Sequence, residues 1–148
     1  MIEELGAKKK NVWQGNYKGI GYEVCNWQCG GETVWNYYIY LNLSKLKPEV
    51  SKQVWLKITK SPYGSGYYSP YNSEILKNIE MHGGITYYSK YHTNVGSRGI
   101  KVGCDFSHLD DHYTEDDLDT ILLDLKKCID TLPEELNPVK ETKVNKGE

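Results

Sequence analysis

Trp35-Asn36-Tyr37-Tyr38-Ile39-Tyr40-Leu41-Asn42-Leu43 alternates with a period of two. Successive side chains of a strand point to opposite sides, so Trp35, Tyr37, Ile39, Leu41 and Leu43 share one face, and Asn36, Tyr38, Tyr40 and Asn42 share the other. The first set is expected to face a core. The second is a row of amides and phenols suited to hydrogen bonding and stacking.

Similar patterns flank this strand. Between Trp13 and Trp27, Gly15, Gly19 and Gly21 are interspersed with Tyr17, Ile20, Tyr22 and Val24, which predicts two short strands joined by a turn. The Gly30-Gly31 pair predicts the next turn. Downstream, Pro48 marks a connection, and Val54, Leu56 and Ile58 alternate with Trp55, Lys57 and Thr59, which predicts a further strand. A long loop follows over 60–72, with Tyr63, Tyr67, Tyr68 and Tyr71 among Pro62, Gly64, Gly66 and Pro70; a lid, an interface arm or a plain excursion would all fit. Ser73 is placed to cap a short helix through Met81, with Ile75, Leu76 and Ile79 inward and Gly83 as its stop. Gly84 to Tyr88 is expected as a strand and Lys90 to Arg98 as a polar loop.

From Gly99 to Phe106 the alternation returns, with Ile100, Val102, Cys104 and Phe106 on the apolar side and Lys101, Gly103 and Asp105 on the polar side. Thr114 is expected to open one long helix, with Asp117 completing a variant capping box. Leu118, Ile121, Leu122, Leu125, Cys128, Ile129 and Leu132 form its apolar stripe, and Pro133 ends it. These elements predict a two-layer α+β fold: a mostly antiparallel sheet with one long C-terminal helix packed on one face. The expected organisation is an N-terminal arm over 1–11, a single domain over 12–136 and a disordered tail over 137–148.

Composition narrows the function. The chain has 148 residues, a net charge of -2, thirteen tyrosines and a single phenylalanine. Tyrosine offers apolar area with a polar tip, as binding faces and subunit interfaces require, although it also favours strands. Arg98 is the only arginine, which argues against an extended nucleic-acid surface. Met1 to Lys10 lacks the apolar run of a signal peptide and no window suits a membrane span, so a cytoplasmic protein with reduced thiols is expected. Cys25 and Cys29 lack a second close pair, which makes a zinc site there a weak hypothesis.

The polar chemistry concentrates between His82 and His112. Ligand capture without turnover would use His82 or His108, the backbone amides of Gly83 and Gly84, Thr86, the phenols of Tyr38, Tyr40 and Tyr88, the cations Arg98 and Lys101 with Lys57 and Lys90, and Asp105 for ribose hydroxyls or a base amine. Metal-assisted hydrolysis would instead use His82, Asp105, His108, Asp111 and His112, although no HExxH spacing is present. A nucleophilic Cys104 or Ser107 with a histidine base is a third route, weakened by the core-facing parity of Cys104. Taken one at a time, these histidines and aspartates serve most readily as corner and cap residues.

The string His82-Gly83-Gly84-Ile85-Thr86-Tyr87-Tyr88, with Val102-Gly103-Cys104-Asp105-Phe106-Ser107-His108, Gly21-Tyr22-Glu23 and Trp35-Asn36-Tyr37-Tyr38, resembles a family of small bacteriophage and prophage proteins over roughly residues 12–132. That resemblance carries no catalytic residues across. It implies a protein acting against host defences in the host cytoplasm, by sequestering a cyclic nucleotide or ADP-ribose-type signal. The expectations are therefore a small anionic nucleotide-like ligand, a homodimer or higher oligomer, no cofactor, and no membrane or extended nucleic-acid partner. The alternatives are a metal-dependent hydrolase of such a ligand and an inhibitor that binds a host protein directly through the Tyr-rich loop.

Overall fold

Alternating burial along the chain sets out the sheet. The structure is a computed structural model that describes residues 10–57, 59–60, 68–69, 75–106 and 112–138. Strand β1 (Lys10–Tyr17) takes in Lys10 and Asn11, ahead of the expected domain start, and pairs with β2 (Ile20–Cys29), which pairs with β3 (Glu32–Asn42). A helix α1 (Pro48–Lys57) follows, then a two-stranded ribbon of β4 (Thr59–Lys60) and β5 (Tyr68–Ser69). The main sheet is completed by β6 (Tyr87–His92) and β7 (Arg98–Asp105), and helix α2 (Leu118–Asp130) comes last. Its order is β1-β2-β3-β7-β6 and every pairing is antiparallel, so β3 lies at the centre. The fold is thus a mixed α/β one, a five-stranded antiparallel sheet with two helices.

Two hairpins have their turns written in the sequence. Lys18 and Gly19 sit at φ of 52° and 82°, and Gly30 and Gly31 at 60° and 84°. Paired left-handed residues make the two-residue turn whose twist matches the flanking strands. Lys18 is the one non-glycine residue among the described residues at positive φ, and its ammonium meets Asp130 at 2.6 Å, beside the Tyr17 hydroxyl, which donates to the same carboxylate at 3.2 Å.

The expected β3 faces are borne out. Trp35, Tyr37, Ile39, Leu41 and Leu43 are buried, while Asn36, Tyr38, Tyr40 and Asn42 are half-buried. Trp35 donates its indole N–H to the Thr114 carbonyl at 2.9 Å and stacks on Trp13. The Tyr37 hydroxyl donates to Asp124 of α2 at 2.8 Å, which gives a buried phenol a charged acceptor. Ile121, Leu125, Cys128 and Ile129 of α2 join the same core as Val24, Ile39, Ile100 and Val102.

Four expectations need correction. The segment at Val54, expected as a strand, is helix α1: Leu46, Val50 and Val54 are buried at four-residue intervals, and Pro48 suits a first helical turn because its missing N–H would have had no partner there. Helix α1 thus stands where a strand was expected. The helix expected through Met81 shrinks to a single turn at Leu76–Asn78; the buried set Leu76, Ile79, Met81 passes from helical to alternating spacing, and Ile79 is extended. Strand β6 runs on to His92, into the expected polar loop, and leaves a short turn before β7. Helix α2 starts at Leu118, not Thr114. The Thr114–Asp117 pair does form, with the Thr114 amide donating to Asp117 Oδ2 at 2.6 Å, but it closes a separate turn before the helix. Downstream, α2 ends at Asp130, where Thr131 Oγ1 donates to the Lys127 carbonyl at 2.8 Å. Ser73, Ile58, Tyr63, Tyr67 and Tyr71 lie outside the described residues, as do the expected arm residues 1–9 and tail residues 139–148.

Leu125 is fully buried on the α2 stripe. Leu125→Ala is expected to cost about 2–5 kcal/mol of unfolding free energy through the cavity it leaves. Urea denaturation followed by circular dichroism measures this; Leu123→Ala, at an exposed position of the same helix, should change stability little.

Candidate functional site: the tyrosine face of the sheet

Strand register decides which polar residues meet. In antiparallel pairs, directly opposed residues point to the same side. Tyr38 opposes Gly103, Tyr40 opposes Lys101 and Asn36 opposes Asp105, so all of these share one face. On the next strand Tyr87 opposes Gly103, Ser89 opposes Lys101 and Tyr91 opposes Gly99. Glu23 arrives opposite Tyr38 from the other side.

Lys101 is the centre of this face. Its ammonium lies 4.5 Å from the Tyr38 ring centroid, 5.4 Å from that of Tyr40 and 5.6 Å from that of Tyr87. The rings hold one another edge-on, Tyr38 with Tyr87 at 5.3 Å and Tyr40 with Tyr91 at 5.7 Å. Two glycines make room for them: a Cβ at Gly103 would overlap the Tyr38 ring, and one at Gly99 would overlap the Tyr91 ring. Gly99-Ile100-Lys101-Val102-Gly103 thus places a cation between two ring-sized gaps. The Tyr40 hydroxyl donates to Glu23 at 3.0 Å. Burial is the first cause that pushes the Tyr38 phenol up to about 12, and it raises those of Tyr40 and Tyr91 too, with the Glu23 hydrogen bond adding to the effect at Tyr40.

The other expected ligand residues do not gather here. Tyr88 has the opposite parity, opposing Val102, and is buried in the core. Arg98 also has core-side parity and lies over Trp55 of α1. His82 stacks on Phe106 at 3.9 Å between centroids, with Tyr113 edge-on to both rings, and lines a cavity of about 170 Å³ with Glu80, Asp124 and Lys127. Gly83 and Gly84 form an exposed left-handed turn in which the Gly84 amide already donates to the Met81 carbonyl at 2.9 Å. The Thr86 amide donates to the Gly103 carbonyl at 3.0 Å, which continues the sheet. His108, Asp111 and Ser107 lie outside the described residues. Of the expected ligand set, Tyr38, Tyr40, Lys101 and Asp105 come together.

Sequence reasoning missed Tyr87, Tyr91, Gly99 and Glu23. Once Tyr87 to Tyr91 is aligned with Gly99 to Gly103, the two-residue period exposes them; the missing datum was the pairing.

Other chemistry finds less support. Among the described residues, no group of three or more His, Cys, Asp or Glu side chains is placed to hold a metal ion. His82 and Asp105 belong to opposite sides of the sheet, and His112 lines a separate cavity with Glu32 and Glu115. Cys25 and Cys29 are four residues apart on one extended strand, about 13 Å, too far to share a zinc ion. Burial raises the Cys104 thiol well above its usual range, and pushes Cys128 up to about 12, so neither is a ready thiolate.

Compared with known proteins, the chain matches no family model, no curated protein and no solved structure. Its defining features are those of the fold itself: a five-stranded antiparallel sheet with a tyrosine face built around one lysine. No helix among the described residues is long and apolar enough to cross a membrane.

Two measurements follow from the burial pattern. Phenols whose folded pKa is raised stabilise the protein below about pH 10, the unfolded value, and lose that contribution as the pH climbs towards about 12. Phenolate absorbance is expected to show Tyr38, Tyr40 and Tyr91 ionising above the ordinary phenol range, with Tyr38→Phe reducing the alkaline loss of stability. Cys29 is exposed whereas Cys25, Cys104 and Cys128 are buried. A thiol reagent should therefore label Cys29 fast in the native protein and the other thiols only on unfolding.

Proposed function

We propose that the protein is a binding module that captures a small anionic nucleotide-like ligand on its tyrosine face, without turnover. The observation that carries this reading is the Lys101 ammonium held beside the rings of Tyr38, Tyr40 and Tyr87. A planar base gains by stacking on such rings, and a phosphate gains from a cation held partly out of water. Asn36 and Asp105, opposed on neighbouring strands, supply an amide and a carboxylate for ribose hydroxyls or a base amine.

The arrangement we infer has two layers, with both helices on the Trp35 side of the sheet and the tyrosine side left for recognition. Tyr37 to Asp124 and Trp55 to Lys90 are the contacts that favour it. A sheet face is shallow, so a second copy meeting the first across its tyrosines would form the walls of a pocket, in keeping with a homodimer. The biological setting suggested by the resemblance is a phage-type protein in the host cytoplasm that withholds a cyclic nucleotide or ADP-ribose-type immune signal from its receptor.

Incubation with a panel of cyclic dinucleotides and ADP-ribose derivatives, followed by denaturation and mass spectrometry of the released ligand, tests this. Intact recovery is expected, with affinity lowered about tenfold or more by Lys101→Ala, the loss of one charge-assisted contact, and also lowered by Tyr38→Ala. Release of a cleaved product would replace capture by hydrolysis. Absence of binding across the panel would overturn the reading and favour a host protein as partner.

A further inference from the structure

The opposite side of the sheet carries a second cationic arrangement. Trp55 stands on α1, and two cations from different strands converge on its ring: Lys90 Nζ lies 4.5 Å and Arg98 Cζ 4.8 Å from the ring centroid. His92, directly opposed to Arg98, meets the same ring edge-on at 5.5 Å. Lys90 shares a side with its partner Ile100, a core residue, so these groups are separated from Lys101 by the sheet itself.

One cation over a tryptophan is a common stabilising contact, worth about 0.5–1 kcal/mol at an exposed site. Two on one ring repel each other, and among the described residues neither is ion-paired with a carboxylate. Burial, followed by the Arg98 charge, lowers the Lys90 pKa. An anion in contact with both would offset that repulsion. Guanidinium presents a planar fork suited to two oxygens of one group, and ammonium adds a point charge.

We propose that Lys90 and Arg98, fanned across Trp55 with His92 at the ring edge, form a binding site for the dianionic phosphate of a phosphomonoester. Two positive charges suit the double charge of phosphate better than a carboxylate. The site is independent of the tyrosine face, and either can fail alone.

Thermal unfolding of the full chain in inorganic phosphate, against chloride at matched ionic strength, provides the test. Phosphate at high concentration stabilises folded proteins in general by exclusion from their surface, so the relevant quantity is the increment over chloride at low phosphate concentration. In the wild type this increment should saturate with concentration. Lys90→Gln and Arg98→Gln should each unfold in chloride at or above the wild-type temperature, because a repulsion is relieved, and each should lose the increment. Lys126→Gln, which removes an exposed cation of α2 over Tyr17, should keep it, which separates this site from a general loss of positive charge. Unfolding of both glutamine variants below the wild-type temperature in chloride, with no phosphate increment in the wild type, would show two braces for Trp55 and overturn the proposal. So would an increment that survives in both variants. Broadening of the phosphorus resonance of a phosphomonoester by the wild type, absent with either variant, is the expected second readout; equal sharpness with all of them would count against the site.

Discussion

The pairing of β3 along both edges is the constraint on which the other features depend. With β2 on one side and β7 on the other, its backbone donors and acceptors are committed, and the strand cannot slip by one residue without carrying Trp35, Tyr37 and Ile39 out of the core. Register is therefore enforced by several fully buried side chains at once. The same register delivers Lys101 opposite Tyr40 and Gly103 opposite Tyr38, so the polar face inherits its geometry from the apolar one. The hydrogen bond from Tyr37 to Asp124 ties α2 to this strand at a polar point, and Ile121, Leu125 and Ile129 of the helix share a buried core with Ile39.

Much of the sheet was legible because period-two alternation and glycine turns are local signals. The faces of β3 and β7 and both two-residue hairpins follow from side-chain order alone. The misassigned segments share a physical cause. Around Val54, three apolar residues fit a strand or a helix equally well; what resolved them was the burial of Leu46 and Val50 upstream, a matter of tertiary packing. At Thr114 the polar pair was recognised, but its hydrogen bonds served a turn of their own, because the apolar stripe that needs a helix begins only at Leu118.

The candidate site was legible in part for a related reason. Parity along one strand correctly grouped Tyr38 with Tyr40, and Lys101 with Asp105. Joining strands requires the order β3-β7-β6, which no local pattern encodes, so Tyr87 and Tyr91 went unnoticed while Arg98 and Tyr88 were grouped with residues on the wrong side of the sheet. His82 illustrates a different limit: a histidine beside two glycines suggests a ligand contact, yet its ring is spent stacking on Phe106.

The rings lying over Gly99 and Gly103 have an entropic consequence. A tyrosine on an open strand surface samples several rotamers, and any partner that needs one of them bears the cost of freezing it, about 0.5–1.5 kcal/mol for a rotamer-rich side chain. Here the glycine gaps and the edge-on neighbours confine Tyr38 and Tyr91 during folding itself. The entropy of placing these rings is thus lost on folding, when the sheet forms, and belongs to the stability of the fold itself.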